Sequence, residues 1–119
     1  MNHYEDMEQI LLFEWAELNM WKYPELEWMI HIPNGGKRNA REAARFKRMG
    51  VKAGVSDVFL PTAANGYHGL WIEMKSEQGT TTANQKRFLK AMNKRGYQAV
   101  VCHSWEEAVA VIVEYLGER

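Results

Sequence analysis

Apolar residues recur along the chain at spacings that predict helices near its beginning and middle. Residues 4–22 place large apolar side chains around nearly the whole circumference of a helix, which favours burial in a core or an interface. We predict that Pro24 ends this helix, because proline cannot continue the hydrogen-bonding pattern. A second, basic helix is predicted from Asn39 to Met49, and Gly50 suits the left-handed conformation that often follows a helix.

Two capping motifs predict where the last two helices begin. Thr82 is followed three residues later by Gln85, and Ser104 is followed in the same way by Glu107. At this spacing the two side chains each accept a hydrogen bond from the other residue's backbone amide. The first of these helices is predicted to end at Arg95, and the second carries apolar residues at helical spacing up to residue 116.

Short runs of apolar or alternating residues predict four strands. They cover residues 27–32, 57–60, 70–75 and 97–102. A loop with Asn65 and Gly66 joins the second and third runs, which predicts an antiparallel hairpin. A helix joins the third and fourth runs, which predicts a parallel pair. The predicted fold class is α/β, with a mixed central β-sheet flanked by helices, in a single domain of residues 1–119.

Composition is that of a globular protein: of the 119 residues, 46% are hydrophobic and 25% are charged. No apolar run approaches the roughly 20 residues that span a bilayer. The acidic start, residues 1–6, is unlike a basic signal-peptide opening. We therefore expect a cytoplasmic protein with no membrane partner. Cys102 is the single cysteine, which excludes an internal disulfide and a zinc-binding cysteine cluster.

Charge is unevenly distributed, although the 15 basic and 15 acidic side chains cancel overall. Residues 37–52 hold seven basic residues and one acid, and residues 84–95 hold five basic residues and no acid. Residues 1–28, by contrast, hold seven acids and one lysine. Basic zones of this density can neutralise nucleic-acid phosphates, although solvated helix faces are the alternative interpretation.

One acid and one base are predicted to share a strand face. Because side chains alternate along a strand, Glu73 and Lys75 point to the same side. Asp57 begins the preceding strand, where hairpin pairing would bring its carboxylate beside that of Glu73. Two carboxylates can hold Mg²⁺, and a nearby ammonium can assist hydrolysis of a phosphodiester. Taken singly, each residue has an ordinary alternative as a surface charge or turn residue.

The ordered motifs carry a family resemblance. They are residues 8–16, 32–36, 54–61 and 69–75, then Gln85, then residues 96–97. This set resembles the PD-(D/E)XK nuclease superfamily, with its restriction-endonuclease-like core, and within it the stand-alone phage-type members of the virus-type replication-repair nuclease (VRR-NUC) family. The chain departs from the family at Ser56, where proline usually precedes the motif aspartate. This change should affect loop stiffness and leave metal ligation intact.

The resemblance implies a metal-dependent active site. Asp57 and Glu73 would bind Mg²⁺ or Mn²⁺ together with the backbone carbonyl of Met74, and Lys75 would assist the attacking water.

A glutamate of the first helix often joins the site in this superfamily. We favour Glu8 as a catalytic and metal-binding residue because it lies on an apolar stripe, where an unpaired carboxylate would be costly. Glu5 and Glu14 are the alternatives. Gln85 is expected either to touch the site or to serve only in its capping box.

The function that the resemblance implies is a DNA endonuclease of phage or prophage origin, acting as a homodimer on branched DNA such as four-way (Holliday) junctions. Residues expected to contact DNA are polar or basic: Asn34, Lys37, Arg38, Arg41, Arg45, Lys52, Lys86 and Arg87. The segment 34–36 is alternatively a simple turn. Two other classes of function stay open: a non-catalytic nucleic-acid-binding module, and a protein whose charge polarity serves only self-association.

Histidines and tryptophans receive structural interpretations. His31, His68 and His103 lack the spacing of metal ligands. The five tryptophans occur where helices and strands should pack, so we predict core positions rather than stacking platforms for bases.

Overall fold

Four helices and four strands make up the parts of the chain that the computed structural model describes, residues 3–33 and 39–119. In chain order they are α1 (His3–Leu18), β1 (Ile30–His31), α2 (Ala40–Arg48), β2 (Val58–Leu60), β3 (Leu70–Met74), α3 (Ala83–Lys94), β4 (Gln98–Cys102) and α4 (Trp105–Leu116). A single 3₁₀ turn, Pro24–Trp28, lies between α1 and β1. No helix of the described segments is both long enough and apolar enough to cross a bilayer.

The strands form one mixed sheet in the order β1-β2-β3-β4. β2 pairs antiparallel with β1 and with β3, whereas β3 and β4 are parallel. The predicted hairpin and the predicted parallel pair are therefore both confirmed, as is the α/β class with helices flanking a mixed sheet.

The two faces of the sheet have different chemistry. One face carries apolar side chains with at most 1% exposure, Val58, Leu60, Leu70, Ile72 and Met74, and these pack in a core with residues of α1 and α4. Strand alternation places Trp71 and Glu73 on the opposite face. There Trp71 stacks on Phe59 with ring centroids 4.1 Å apart and meets Phe88 of α3 edge-on at 5.0 Å. The candidate site thus lies on the α3 side of the sheet.

The first helix and the first strand are shorter than predicted. The helix ends at Leu18, and the Asn19 side chain donates a hydrogen bond of 2.9 Å to the Trp15 carbonyl, an acceptor that the helix end leaves available. Pro24 begins the 3₁₀ turn instead of ending the helix, because its fixed φ suits a first helical position. This turn takes up residues that were predicted as strand, so only Ile30–His31 pair with β2.

Burial of α1 is one-sided, contrary to the even burial that its composition indicates. Leu12 and Ala16 are buried against the core, whereas Met7, Ile10 and Leu18 are 45%, 50% and 74% exposed. A helix packed on one side of a sheet covers only one stripe of its surface, whatever the residues on the other stripe.

Two tryptophans also lie outside the core, contrary to the prediction. Trp21 is 81% exposed and Trp28 is 65% exposed, both in the connection between α1 and β1. The other three tryptophans are partly buried, as packing positions require. Apolar spacing identified the helices and strands correctly but did not distinguish their packed residues from those of the connecting turn.

The predicted helix ends are correct for α2 and α3. Asn39 caps α2 by accepting a hydrogen bond of 2.8 Å from the Glu42 amide, and Gly50 follows the helix with a φ of +103°. Thr82 and Gln85 form both halves of the predicted capping box of α3. At α4 the structure shows one half of the second box, in which the Ser104 hydroxyl accepts from the Glu107 amide at 3.1 Å.

Candidate active site

Asp57 lies at the start of β2 and is held from two neighbouring strands. Its side-chain Oδ2 accepts a hydrogen bond of 2.8 Å from the backbone amide of Met74 in β3. Its backbone carbonyl accepts a hydrogen bond from the amide of Ile32 at 2.8 Å, and His31 Nδ1 lies 2.8 Å from the same carbonyl. These contacts fix both the backbone and the carboxylate of Asp57 beside β3.

Glu73 is a buried carboxyl group, with 2% of the residue exposed. Its Oε2 accepts a hydrogen bond of 3.3 Å from Gln85 Nε2 of α3 and lies 3.9 Å from the Lys75 ammonium. Its Oε1 is buried and has no hydrogen-bond partner within residues 3–33 and 39–119. Burial without full hydrogen bonding is costly for a carboxylate, so this position requires a further compensating group when Glu73 is ionised.

The two predicted carboxyl groups lie close enough for Asp57 to act on the ionisation of Glu73. Burial, the hydrogen bonding that the Asp57 side chain offers to a protonated Glu73, and the negative charges of Asp57 and Glu5 raise the pKa of Glu73 to about 9, and the nearby Lys75 ammonium opposes this rise only in part. Without another positive charge, the pair shares a proton. A divalent cation supplies that charge, and carboxylate oxygens are its preferred ligands. The residues present therefore fit a metal ion.

The described side chains offer two carboxylates at this position rather than a larger cluster. No group of three or more His, Cys, Asp or Glu residues suitable for a metal occurs within the described ranges. A third protein ligand would have to be a backbone group or a more distant acid. Mg²⁺ tolerates such a small set because it retains several waters when it binds to proteins.

Gln85 serves the capping box and the site together. Its Oε1 accepts a hydrogen bond of 2.9 Å from the Thr82 amide, which orients the amide group so that Nε2 points to Glu73. The two alternatives that the sequence left open are thus not exclusive. The start of α3 determines where the Glu73 carboxyl group is held.

Comparison with known proteins identifies the domain. The family model for the VRR-NUC domain matches residues 4–106. The chain belongs to the VRR-NUC family. A solved structure described as a VRR_NUC domain protein has 35% sequence identity and a TM-score of 0.82, covering 97% of this chain and 89% of that one. No curated protein sequence matches the chain. The VRR-NUC domain is a nuclease-family domain, and nucleases of this type generally use divalent metals.

In the first helix of this VRR-NUC domain, Glu5 and Glu8 interact with different parts of the protein. Glu8, which the sequence favoured, accepts a hydrogen bond of 3.1 Å from the backbone amide of Trp105 at the start of α4. Glu5 instead contributes a negative charge that raises the pKa of Glu73. Glu14 is exposed further along the helix. Of the three first-helix acids, Glu5 is the one whose charge acts on the pKa of Glu73.

The structure brings the predicted basic residues of the VRR-NUC domain to two neighbouring helices and one loop. Arg41 and Arg45 of α2, Lys52, and Lys86 and Arg87 of α3 are all exposed. Lys52 and Arg87 line the same groove between α2 and α3. The predicted contacts Asn34, Lys37 and Arg38 lie outside the described residues.

Sequence reasoning missed His31 as a neighbour of the site. In the Nδ1-protonated form, its ring donates to the carbonyl of Asp57, the same carbonyl that accepts from Ile32. The only sequence signal was its place in the strand that pairs with β2. Ser56, which stands at the usual proline position, is fully buried, and its hydroxyl has no partner among the described residues.

Proposed function

We propose that this VRR-NUC domain is an endodeoxyribonuclease that requires Mg²⁺ or Mn²⁺ and hydrolyses phosphodiester bonds. The observation that carries the proposal is the buried Glu73 carboxyl group 3.9 Å from the Lys75 ammonium, with the Asp57 carboxylate near enough to raise the pKa of Glu73. Two neighbouring acids destabilise the metal-free protein when both are ionised, so their placement does not serve stability. Such perturbed groups concentrate at functional sites.

Asp57, Glu73 and the carbonyl of Met74 would hold the ion. A bound divalent metal lowers the pKa of water and neutralises charge on the phosphodiester. Lys75, whose side chain is 12% exposed, reaches the solvent edge of the site and would position the attacking water or stabilise the charge that develops on the phosphate. Gln85 and the Met74 amide keep the two carboxylates in place. Glu8, which the sequence favoured, and Glu5, whose charge acts on Glu73, are the two candidates for the first-helix contributor.

The proposed DNA contacts are the basic side chains of α2 and α3 and the Lys52 loop, which grip the backbone without reading its sequence. Lys37, Arg38 and Asn34, which lie outside the described residues, are also proposed to contact DNA. Binding should then weaken linearly in a plot of the logarithm of affinity against the logarithm of salt concentration. A salt-independent affinity would contradict phosphate contacts.

Preference for branched DNA and assembly as a homodimer complete the proposal, along with a phage or prophage source, and these rest on the family resemblance. The exposed apolar residues Met7, Ile10 and Leu18 of α1 are compatible with a subunit contact. Sedimentation that shows only monomer at micromolar concentration would remove the dimer from the proposal.

A cleavage assay tests the central claim. A labelled four-way junction and a matched linear duplex are incubated with the protein in Mg²⁺, Mn²⁺ or EDTA. Glu73→Ala is the test variant, and Glu114→Ala, on the exposed side of α4, is the matched control. Cleavage by the wild type and the control that requires metal and Glu73 supports the nuclease, and faster cleavage of the junction supports branch selectivity. Binding with no cleavage in any metal would instead indicate a non-catalytic module.

A further inference from the structure

A groove of about 920 Å³ separates α2 from α3 and combines apolar and basic side chains. Its apolar surface includes Phe46 of α2 and Phe88 and Met92 of α3. Lys47, Lys52 and Arg87 also line it. Sites for small ligands have volumes of this order, with a mostly apolar lining and a few polar groups.

The two phenylalanine rings are placed differently but suit the same kind of ligand. Phe88 is held by its edge-on contact with Trp71 of β3, which leaves it a fixed part of the groove. Phe46 is the half-buried residue of α2, a helix with no fully buried residue, and the Arg45 guanidinium lies 5.4 Å from its ring centroid. A base can stack on an aromatic ring of the groove while Lys47, Lys52 or Arg87 pairs with its phosphate.

The groove adjoins the candidate active site through the first turn of α3. Asn84 lines the groove, and the next residue, Gln85, donates to Glu73. Gly54 joins the Lys52 loop to this turn, since a Cβ at Gly54 would lie 2.4 Å from the Asn84 carbonyl oxygen, and its φ is +91°. Any larger residue at Gly54 would push the loop away from α3. The first turn of α3 therefore contacts both the groove, through Asn84, and the carboxyl pair, through Gln85.

We propose that this groove binds an unpaired nucleotide of the DNA substrate, with its base against the apolar surface and its phosphate at the basic side chains. The inference rests on the proposed function and adds to its substrate class branched DNA that carries unpaired nucleotides next to the cleaved bond. Duplex backbone alone needs no apolar surface, because its bases are stacked inside the helix. The basic rim complements phosphate charge, and the aromatic rings accept any base without sequence preference.

Fluorescence anisotropy in EDTA tests the proposal without any cleavage. The probes are a labelled single-stranded oligothymidylate and the same strand with abasic sites in place of its bases. Base stacking predicts that the wild type binds the intact strand at least about fivefold more tightly. Phe46→Ala should abolish this preference, and Phe46→Trp should retain it. Met49→Ala is the matched control, because Met49 directly follows α2, is 72% exposed and does not line the groove.

A second variant guards against local unfolding of α2. Ala43 lines the groove from an exposed position, so Ala43→Glu keeps the helix while it places a negative charge against the bound phosphate. It should weaken binding of both strands. Equal affinity of the wild type for intact and abasic strands would overturn the proposal. The proposal would also be overturned if Phe46→Ala kept the preference for the intact strand, or if Ala43→Glu bound both strands as the wild type does. A third contrary result would be competition by polyglutamate, an anion without bases, as strong as that by the oligonucleotide.

The binding assay and the cleavage assay test the groove proposal and the nuclease proposal independently. Glu73→Ala should retain the preference for the intact strand, since the groove does not include Glu73. Cleavage without the stacking preference would contradict nucleotide binding in the groove and would still support the nuclease activity. A stacking preference without cleavage would contradict the nuclease activity and would still support binding of unpaired nucleotides in the groove.

Discussion

The carboxylate of Asp57 accepts a hydrogen bond of 2.8 Å from the backbone amide of Met74, seventeen residues along the chain. This bond crosses the hairpin at the residue whose carbonyl is the proposed third metal ligand. The Asp57 side chain therefore has two roles: it accepts a hydrogen bond at the end of the β2–β3 pair, and it places a negative charge near Glu73. A substitution can separate the two roles only if it preserves the acceptor and removes the charge.

Asp57→Asn should make that separation. Its side-chain oxygen can still accept from the Met74 amide, so we expect a melting temperature in EDTA close to that of the wild type. Cleavage in Mg²⁺ should be lost. Asp57→Ala should lose cleavage and also about 1–3 kcal/mol of stability, because the Met74 amide loses its partner. Thermal unfolding and the cleavage assay check both variants, and full metal-dependent activity of Asp57→Asn would contradict the role in metal binding.

The raised pKa of Glu73 predicts a pH-dependent cost to stability. The folded, metal-free protein retains the Glu73 proton up to about pH 9, whereas the unfolded chain releases it near pH 4.5, the ordinary pKa of a glutamate. Because the folded state then binds more protons, the free energy of unfolding should decrease as the pH rises between these values. Urea titrations in EDTA at mildly acidic and mildly alkaline pH measure the decrease.

Glu73→Gln should show a smaller decrease over the same range, because a glutamine has no proton to release. Glu114→Gln, at an exposed position, should behave like the wild type. Saturating Mg²⁺ should raise the melting temperature of the wild type more than that of Glu73→Gln, since only the wild type keeps both carboxylates. Identical pH profiles for the wild type and Glu73→Gln would exclude the raised pKa.

Local patterns predicted those parts of the fold that depend on neighbouring residues. Alternation in β3 placed Glu73 and Lys75 on one face, and the capping box at Thr82 located the start of α3. The hairpin then brought Asp57 to Glu73, so the central pair followed from sequence. The predicted strand of residues 27–32 was too long because Glu27 and Trp28 belong to the 3₁₀ turn Pro24–Trp28, which leaves Ile30–His31 as β1.

The first-helix acid could not be chosen from sequence, because its contact is distant along the chain. Glu8 bonds to the amide of Trp105, a separation of 97 residues that no local pattern reports. The apolar stripe around Glu8 indicated correctly that its carboxylate needs a partner. It did not indicate whether that partner is a metal ion or a helix N-terminus, since both stabilise negative charge.

Gln85 offers a test of whether the start of α3 positions Glu73. Gln85→Glu retains an acceptor for the Thr82 amide but replaces the donor that faces Glu73 with a second acid. We expect cleavage to decrease strongly while α3 remains capped. Thr82→Ala is the complementary variant, because it removes the acceptor of the Gln85 amide without altering the Glu73 contact directly. It should cost about 0.5–2 kcal/mol of stability with a smaller effect on cleavage. The opposite ranking of the two cleavage rates would assign Gln85 to capping alone.

Glu5 and Glu8 can be separated by pairing a stability measurement with a metal titration. Glu8→Gln should mainly affect stability, because it removes a negative charge that lies against the first turn of α4, where the helix dipole favours an anion by about 0.3–1 kcal/mol. Glu5→Gln should leave α4 unaffected and lower the pKa of Glu73, since one of the charges that raises it is removed. Its expected signature is a shifted Mg²⁺ dependence of cleavage with a nearly unchanged melting temperature. If Glu8→Gln shifted the Mg²⁺ dependence and Glu5→Gln did not, the first-helix ligand would be Glu8, and its bond to Trp105 would have to open when the metal binds.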